Sequence, residues 1–273
     1  MAQANTAQKQ KSGSFPMGTV VMITALVVSE LIFHFVFGDV KHFVDETRHE
    51  AKPGDYLGII YKGGFIVPIL MTMTIVVFTF AIERFITLRK ANGTGSLEAF
   101  LQKVKHLLST NDIATAKAEC NKQKGSVANV VLAGLTKYEE MASNTELEEE
   151  KKLLAISKEI EEATSLELPS LEKNLPILAT IASVATLVAL LGTVLGMIRA
   201  FAAMATSGSP DPGALAEGIS EALINTAIGI GTSAFAIIFY NIFTGMIDKL
   251  TYGIDEIGFS IAQSFATSAK KSK

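Results

Sequence analysis

A carboxylate heads one of the most apolar stretches of this 273-residue chain: in EALINTAIGIGTSAF, Glu221 is followed by Asn225, Thr226, Thr232 and Ser233. The four-residue step puts Glu221 and Asn225 on one helix face, and Thr232 continues it. A second apolar stretch carries Thr180, Ser183, Thr186 and Thr193, with Thr186 and Thr193 seven apart and close to that same face. Carboxylate, amide and hydroxyl oxygens in apolar surroundings can relay a proton or ligate a small cation. They do not suit nucleophilic chemistry, because no base accompanies the threonines in sequence. Taken singly, each hydroxyl can bond back to its own preceding turn. Glu221 has two outlets: it faces water, a partner or a protein interior, or it snorkels to a nearby interface.

The elements that must position these groups are long and apolar. Hydrophobic residues make up 49% of the chain, charged residues 19%, and mean hydropathy is +0.36. Charge-free runs cover 63–82, 175–198 and 222–247, and 15–38 is apolar apart from Glu30 and His34. Each run reaches the ~20 residues that cross ~30 Å of hydrocarbon as a helix. The expected fold is an all-α membrane protein with four transmembrane helices and long cytoplasmic helical extensions. The first span has no convincing cleavage site and is read as a retained helix.

The expected organisation is a tail at 1–14, an additional first span at 15–38 and a hydrophilic segment at 39–62. A span at 63–88 then leads to a charged helical region at 89–171. Spans at 172–204 and 215–247 flank a loop at 205–214, and an amphipathic helix with a tail fills 248–273. Lysine and arginine placement puts Arg84, Arg89, Lys90, Lys173 and the terminal lysines inside, with 39–62 and 205–214 outside. A net charge of −3 and the lack of a basic aromatic tract give no reason to expect nucleic acid. The lone Cys120 excludes an intrachain disulfide. No phosphate loop, zinc spacing or Ser-His-acid set points to an enzyme or a metal cofactor.

Ala185, Ala189, Gly192, Gly196 and Ala200, together with Gly229, form a small-residue pattern that lets helices approach closely. The span at 63–88 instead carries Val67, Ile69, Leu70, Ile75, Val76, Val77 and Phe78, suited to face lipid. Glu83 and Arg84 close it as an interfacial anchor, and Glu30 with His34 suits a local interhelical contact. Beyond the last span, Ile247, Leu250, Ile254, Ile257, Ile261 and Phe265 keep a helical stripe for packing against the polar region or a neighbour.

Four stretches, in order, resemble the ExbB/TolQ/MotA family of ion-driven motor stators, most of all its ExbB branch. They are GGFIVPILMTMTIVVFTFAIERFITL, DIATAKAECNKQKGSVANVVLAGL, LEKNLPILATIASVATLVALLGTVLGMIRAF and EALINTAIGIGTSAFAIIFYNIF, covering roughly 63–245. The resemblance implies a homopentamer in the bacterial inner membrane around two copies of a single-span ExbD-like protein that carries the essential carboxylate. It places Thr193 and Thr226 around that carboxylate and Glu221 near the periplasmic entrance, with a TonB-like protein taking up the force. A Tol-type role in envelope integrity is the alternative, beside a non-conducting scaffold. Thr186, Ala189 and Phe235 stand where relatives usually have proline, glycine and proline, which implies straighter helices. The added Thr186 oxygen keeps Na+ beside H+ as the translocated ion.

Overall fold

A computed structural model describes residues 17–44, 51–206 and 212–271. The expected tail at 1–14, residues 207–211 of the loop at 205–214, the acidic residues Asp45, Glu46 and Glu50, and Lys273 lie outside the described residues. The described residues are mostly helical, with one isolated bridge among them between Phe43 and Ala51. Its α-helices are α1 (Met17–Leu31), α2 (Tyr56–Tyr61), α3 (Ile66–Ala91), α4 (Leu97–Ser109), α5 (Ile113–Gln123), α6 (Gly125–Ser143), α7 (Glu149–Glu172), α8 (Leu175–Thr206) and α9 (Pro212–Lys271). Among the described residues, four helical stretches are long and apolar enough to cross a membrane, beginning at Gly18, Ile66, Glu149 and Pro212. The protein is an all-helical membrane protein.

Two compact units divide the chain, one from residues up to Thr79 with Thr180–Ala236, the other from Phe80–Ala179 with Ile237–Lys273. In the first unit α1 runs straight into a π-helical turn, Ile32–Phe37, that ends at Gly38. Ala25, Ser29 and Phe33 are its buried stripe. The Ser29 hydroxyl meets the Pro68 carbonyl at 2.9 Å and the Thr72 hydroxyl at 2.7 Å, tying α1 to α3. Phe33 stacks on Tyr61 with centroids 4.7 Å apart. Asp55 caps α2 by accepting from the Leu57 and Gly58 amides, and accepts a bond from His42 Nδ1 at 2.7 Å. The His42 bond, aided by those amides, holds the Asp55 carboxyl below its ordinary value.

Short caps define the second unit. Ser96 accepts from the Ala99 amide at the head of α4, and Asp112 from the Thr115 amide at the head of α5. Asn111, Lys124 and Asn174 take positive φ at the breaks before α5, α6 and α8. The stripe from Ile247 to Phe265 is buried: Ile254, Ile257 and Ile261 are 1% exposed or less, and Phe265 meets Tyr138 of α6 edge-on. Cys120 is buried there too, and burial pushes its thiol up to about 12.

Two expectations need correction. The bulky face of α3 is not given over to lipid: Val67, Leu70, Val76 and Val77 are all 1% exposed or less, while Ile69 and Phe78 are the exposed ones. Arg84 is not an interfacial anchor turned toward headgroups; it is 1% exposed. Its guanidinium pairs with Glu83 and donates to the Ser170 and Leu171 carbonyls at 3.1 and 3.2 Å. Those carbonyls belong to the last turn of α7, which lacks partners within its own helix, so a buried arginine serves as its C-terminal cap. Asn174 completes the group by donating to Glu83 at 3.1 Å.

Candidate functional site

Helices α8 and α9 lie antiparallel along a seam of small residues. A Cβ placed on Gly192 would come within 2.8 Å of the Asn225 Cβ, and one on Gly196 within 2.9 Å of the Gly218 carbonyl. Gly229 leaves no room for a Cβ beside Ala189 and the Ala185 carbonyl, and Gly218 fits against Ala200. Glycine and alanine are therefore needed here for backbone approach. Of the sequence-predicted packing residues, Ala185, Ala189, Gly192, Gly196 and Gly229 all lie in this seam.

The seam fixes where every other side chain points. A helix turns about 100° per residue. In an antiparallel pair, one step forward from a contact residue therefore swings both helices' side chains to the same flank. One step back swings them to the other. Thr186, Thr193 and Thr226 each follow a seam residue (Ala185, Gly192 and Asn225), so they share one flank. Arg199 and Glu221 each precede one, Ala200 and Ala222, and share the opposite flank.

Helix α3 covers only that second flank. Ile66 and Leu70 pack with Ala189, Val188, Leu195 and Ile228. Asn225 is fully buried and donates to the Gly63 carbonyl at 3.0 Å; its Oδ1 has no hydrogen-bond partner. Thr232 is 3% exposed and meets the Thr74 hydroxyl of α3 at 2.6 Å. Glu221 is 7% exposed and pairs with Arg199 at 2.5 Å. Gly64 presses on the same carboxylate: its φ is +73°, and a Cβ there would stand 2.6 Å from Glu221 Oε1. Phe65 underlies the Arg199 guanidinium at 5.4 Å, and Lys62 reaches Glu217 at 2.8 Å.

Among the described residues the other flank has no such cover. Thr186 is exposed and Thr193 and Thr226 half-buried. Leu190, Leu223 and Ile230 around them are 60%, 65% and 54% exposed. Thr193 donates to its own Leu190 carbonyl at 2.6 Å and Thr226 to Ala222 at 3.0 Å. Each hydroxyl proton is thereby used, while the oxygen lone pairs stay available to accept from a protonated acid or to ligate a cation.

The ion-pathway residues expected from sequence thus divide. Thr186, Thr193 and Thr226 share one flank, whereas Glu221 and Asn225 face the interior of the chain. Their placement on one common face is corrected by the position of α3. Arg199 was missed because it closes a charge-free run and reads as a boundary; its equivalent position to Glu221, one residue before a small seam residue, is the signal that marks it.

The spans α8 and α9 of this all-helical membrane protein meet at a glycine-lined seam, with threonines on its open flank. Residues 122–256 match the model of the MotA/TolQ/ExbB proton channel family, so the chain carries a domain of that family. The match takes in α7, α8 and the Thr226 part of α9 and leaves α3 outside. The chain is 32% identical over 124 residues to the Tol-Pal system protein TolQ of Pseudomonas aeruginosa, covering 45% of this chain and 54% of that protein. It is 30% identical over 115 residues to the biopolymer transport protein ExbB of Xanthomonas campestris pv. campestris, covering 42% and 46%. An ExbB homologue of Methanothermobacter thermautotrophicus is 29% identical over 195 residues, covering 71% and 65%. The chain spans about half the length of the first two relatives.

Proposed function

We propose that this chain is an ExbB-like subunit of an ion-driven motor in the bacterial inner membrane. The observation that carries the reading is the open flank of the α8/α9 pair, apolar and bearing Thr186, Thr193 and Thr226. Copies of the chain, in number most simply five, would turn this flank toward a central cavity. Two copies of a single-span ExbD-like partner would stand there, each contributing a carboxylate. Both chain termini and the helical region at 89–171 would lie in the cytoplasm. A TonB-like protein would receive the force and deliver it to outer-membrane transport.

In this mechanism the ion neutralises the partner's carboxylate, and the neutral helix can slide past Leu190, Leu223 and Ile230. Loss of the ion on the inner side restores the charge, which then settles beside the next group of threonine oxygens. Each elementary charge supplies about 2.3 kcal/mol per 100 mV of membrane potential, comparable to a few hydrogen bonds exchanged per step. The translocated ion is taken as H+. Na+ is the second reading, favoured by the additional oxygen of Thr186 on the same flank. A TolQ-like role in the Tol-Pal system is the second functional reading, supported by the similarity to TolQ proteins.

The test is ion flux through vesicles containing the chain with its single-span partner. Thr193→Val and Thr226→Val keep the side-chain shape and remove the oxygen. Each is expected to lower flux about tenfold, the size of a ~1.4 kcal/mol change in barrier. Unchanged flux in both variants, beside a conducting wild type, would exclude the proposed path. Running the same assay in Na+-free medium decides the ion.

A further inference from the structure

The segment 62–65, which leads into α3, is held on the α8/α9 pair by four contacts that converge on one corner. Lys62 pairs with Glu217, the Gly63 carbonyl accepts from Asn225, Gly64 abuts the Glu221 carboxylate, and Phe65 lies under Arg199. Arg199 and Glu221 join these contacts: one salt bridge links α8 to α9, and both of its ends touch the segment before α3. The carboxylate is almost closed off, at 9% side-chain exposure, while the arginine keeps 51%. A carboxylate so placed, ion-paired and facing away from the threonine flank, is poorly sited to hand an ion onward.

We infer that Arg199 and Glu221 form a latch that fixes α3 to the α8/α9 pair, and that Glu221 serves as the fixed half of this latch and carries no ion. Arg199 is then a positioning residue that acts through Glu221. This inference rests on the motor reading for its functional consequence, but the latch is also a property of the folded chain alone. Gly64 is part of the device. Its positive φ and its contact with the carboxylate leave no space for a side chain, so the segment can approach only as glycine. Removing Arg199 leaves the nearly closed-off Glu221 carboxylate without its counter-charge, which makes the two residues interdependent.

The experiment uses the full chain with its single-span partner in vesicles, and compares Arg199→Gln, Arg199→Lys, Glu221→Gln and the Arg199→Gln/Glu221→Gln double variant. Flux and thermal midpoint are read on the same preparations. The latch predicts that Arg199→Gln and Glu221→Gln each lose most of the flux and several degrees of Tm. The double variant should be no worse than the more damaging single one, and Arg199→Lys should recover most of both losses. Flux retained in Arg199→Gln but abolished in Glu221→Gln would overturn the inference, because a carboxylate that works without its partner is an ion carrier. If the wild-type complex conducts no ion, the motor reading fails and the Tm cycle alone decides: non-additive losses support the latch, and additive losses refute it.

Discussion

On one flank of the α8/α9 seam, Glu221, Asn225 and Thr232 are spent on contacts with α3, the segment before it and Arg199. On the other flank, Thr193 and Thr226 donate to carbonyls of their own helices and Thr186 is exposed. The covered side carries a carboxylate, a guanidinium, an amide and a hydroxyl, the open side threonine hydroxyls, and a third helix covers only the first. Polar groups beside α3 are engaged within one chain, except that Asn225 Oδ1 has no partner among the described residues. Polar groups on the open flank keep oxygen lone pairs free to accept. A membrane offers little driving force for sorting apolar residues inward, so specific polar contacts and close backbone approach decide which faces meet.

The sharpest way to break this comparison is to force the seam apart. Gly229→Leu would drive a side chain into Ala189 and the Ala185 carbonyl, and a backbone carbonyl cannot yield as a flexible side chain can. Overpacking costs about 1–3 kcal/mol and occasionally more, so loss of a monodisperse protein on size-exclusion chromatography is the expected outcome. Gly231→Leu, where a Cβ meets open space, is the control and should leave the profile intact in the isolated chain. Equal damage from both would mean that the seam does not set the two flanks.

The smallest expected effect lies in the segment that leads toward the latch. Asp55 accepts from His42 and caps α2, and its folded-state carboxyl titrates below its ordinary value. A depressed folded pKa contributes stability that is present above the unfolded value, near 3.9, and is lost as pH falls through the folded one. The chain should therefore lose a small increment of thermal stability as the pH drops below about 4. Asp55→Asn should remove that increment and be nearly indistinguishable from wild type at low pH. A variant whose Tm deficit is as large at low pH as at neutral pH would show that this carboxylate's charge contributes nothing.

Much of the architecture is legible from residue spacing. The charge-free runs mark α3, α8 and α9, and the small residues from Ala185 to Ala200 mark the seam. The stripe from Ile247 to Phe265 shows a buried helical face in a polar region, where the contrast with surrounding charge makes it visible. The inward face of α3 is illegible for the opposite reason. Val67, Leu70 and Val77 look the same whether they meet lipid or protein, so no polarity contrast reveals the face. The division of the threonines is hidden because a period within one helix fixes relative phase but not which side a third helix occupies. Arg199 and Arg84 both terminate apolar runs, and an arginine in that position reads as the edge of a span. The structure instead turns one to a carboxylate 22 residues away and the other to carbonyls 86 and 87 residues away.

Disulfide trapping compares the flanks most directly. Thr226→Cys and Thr232→Cys change the side chains little and are six residues apart on one helix. Native Cys120 adds little background, since a buried thiol pushed up to about 12 supplies almost no thiolate for exchange. Each variant is oxidised in the complex with a series of single cysteines along the partner's span. The account predicts interchain disulfides from Thr226→Cys and none from Thr232→Cys, which should instead close onto Thr74→Cys within the chain. Trapping of the partner through Thr232→Cys, with Thr226→Cys remaining free, would contradict it.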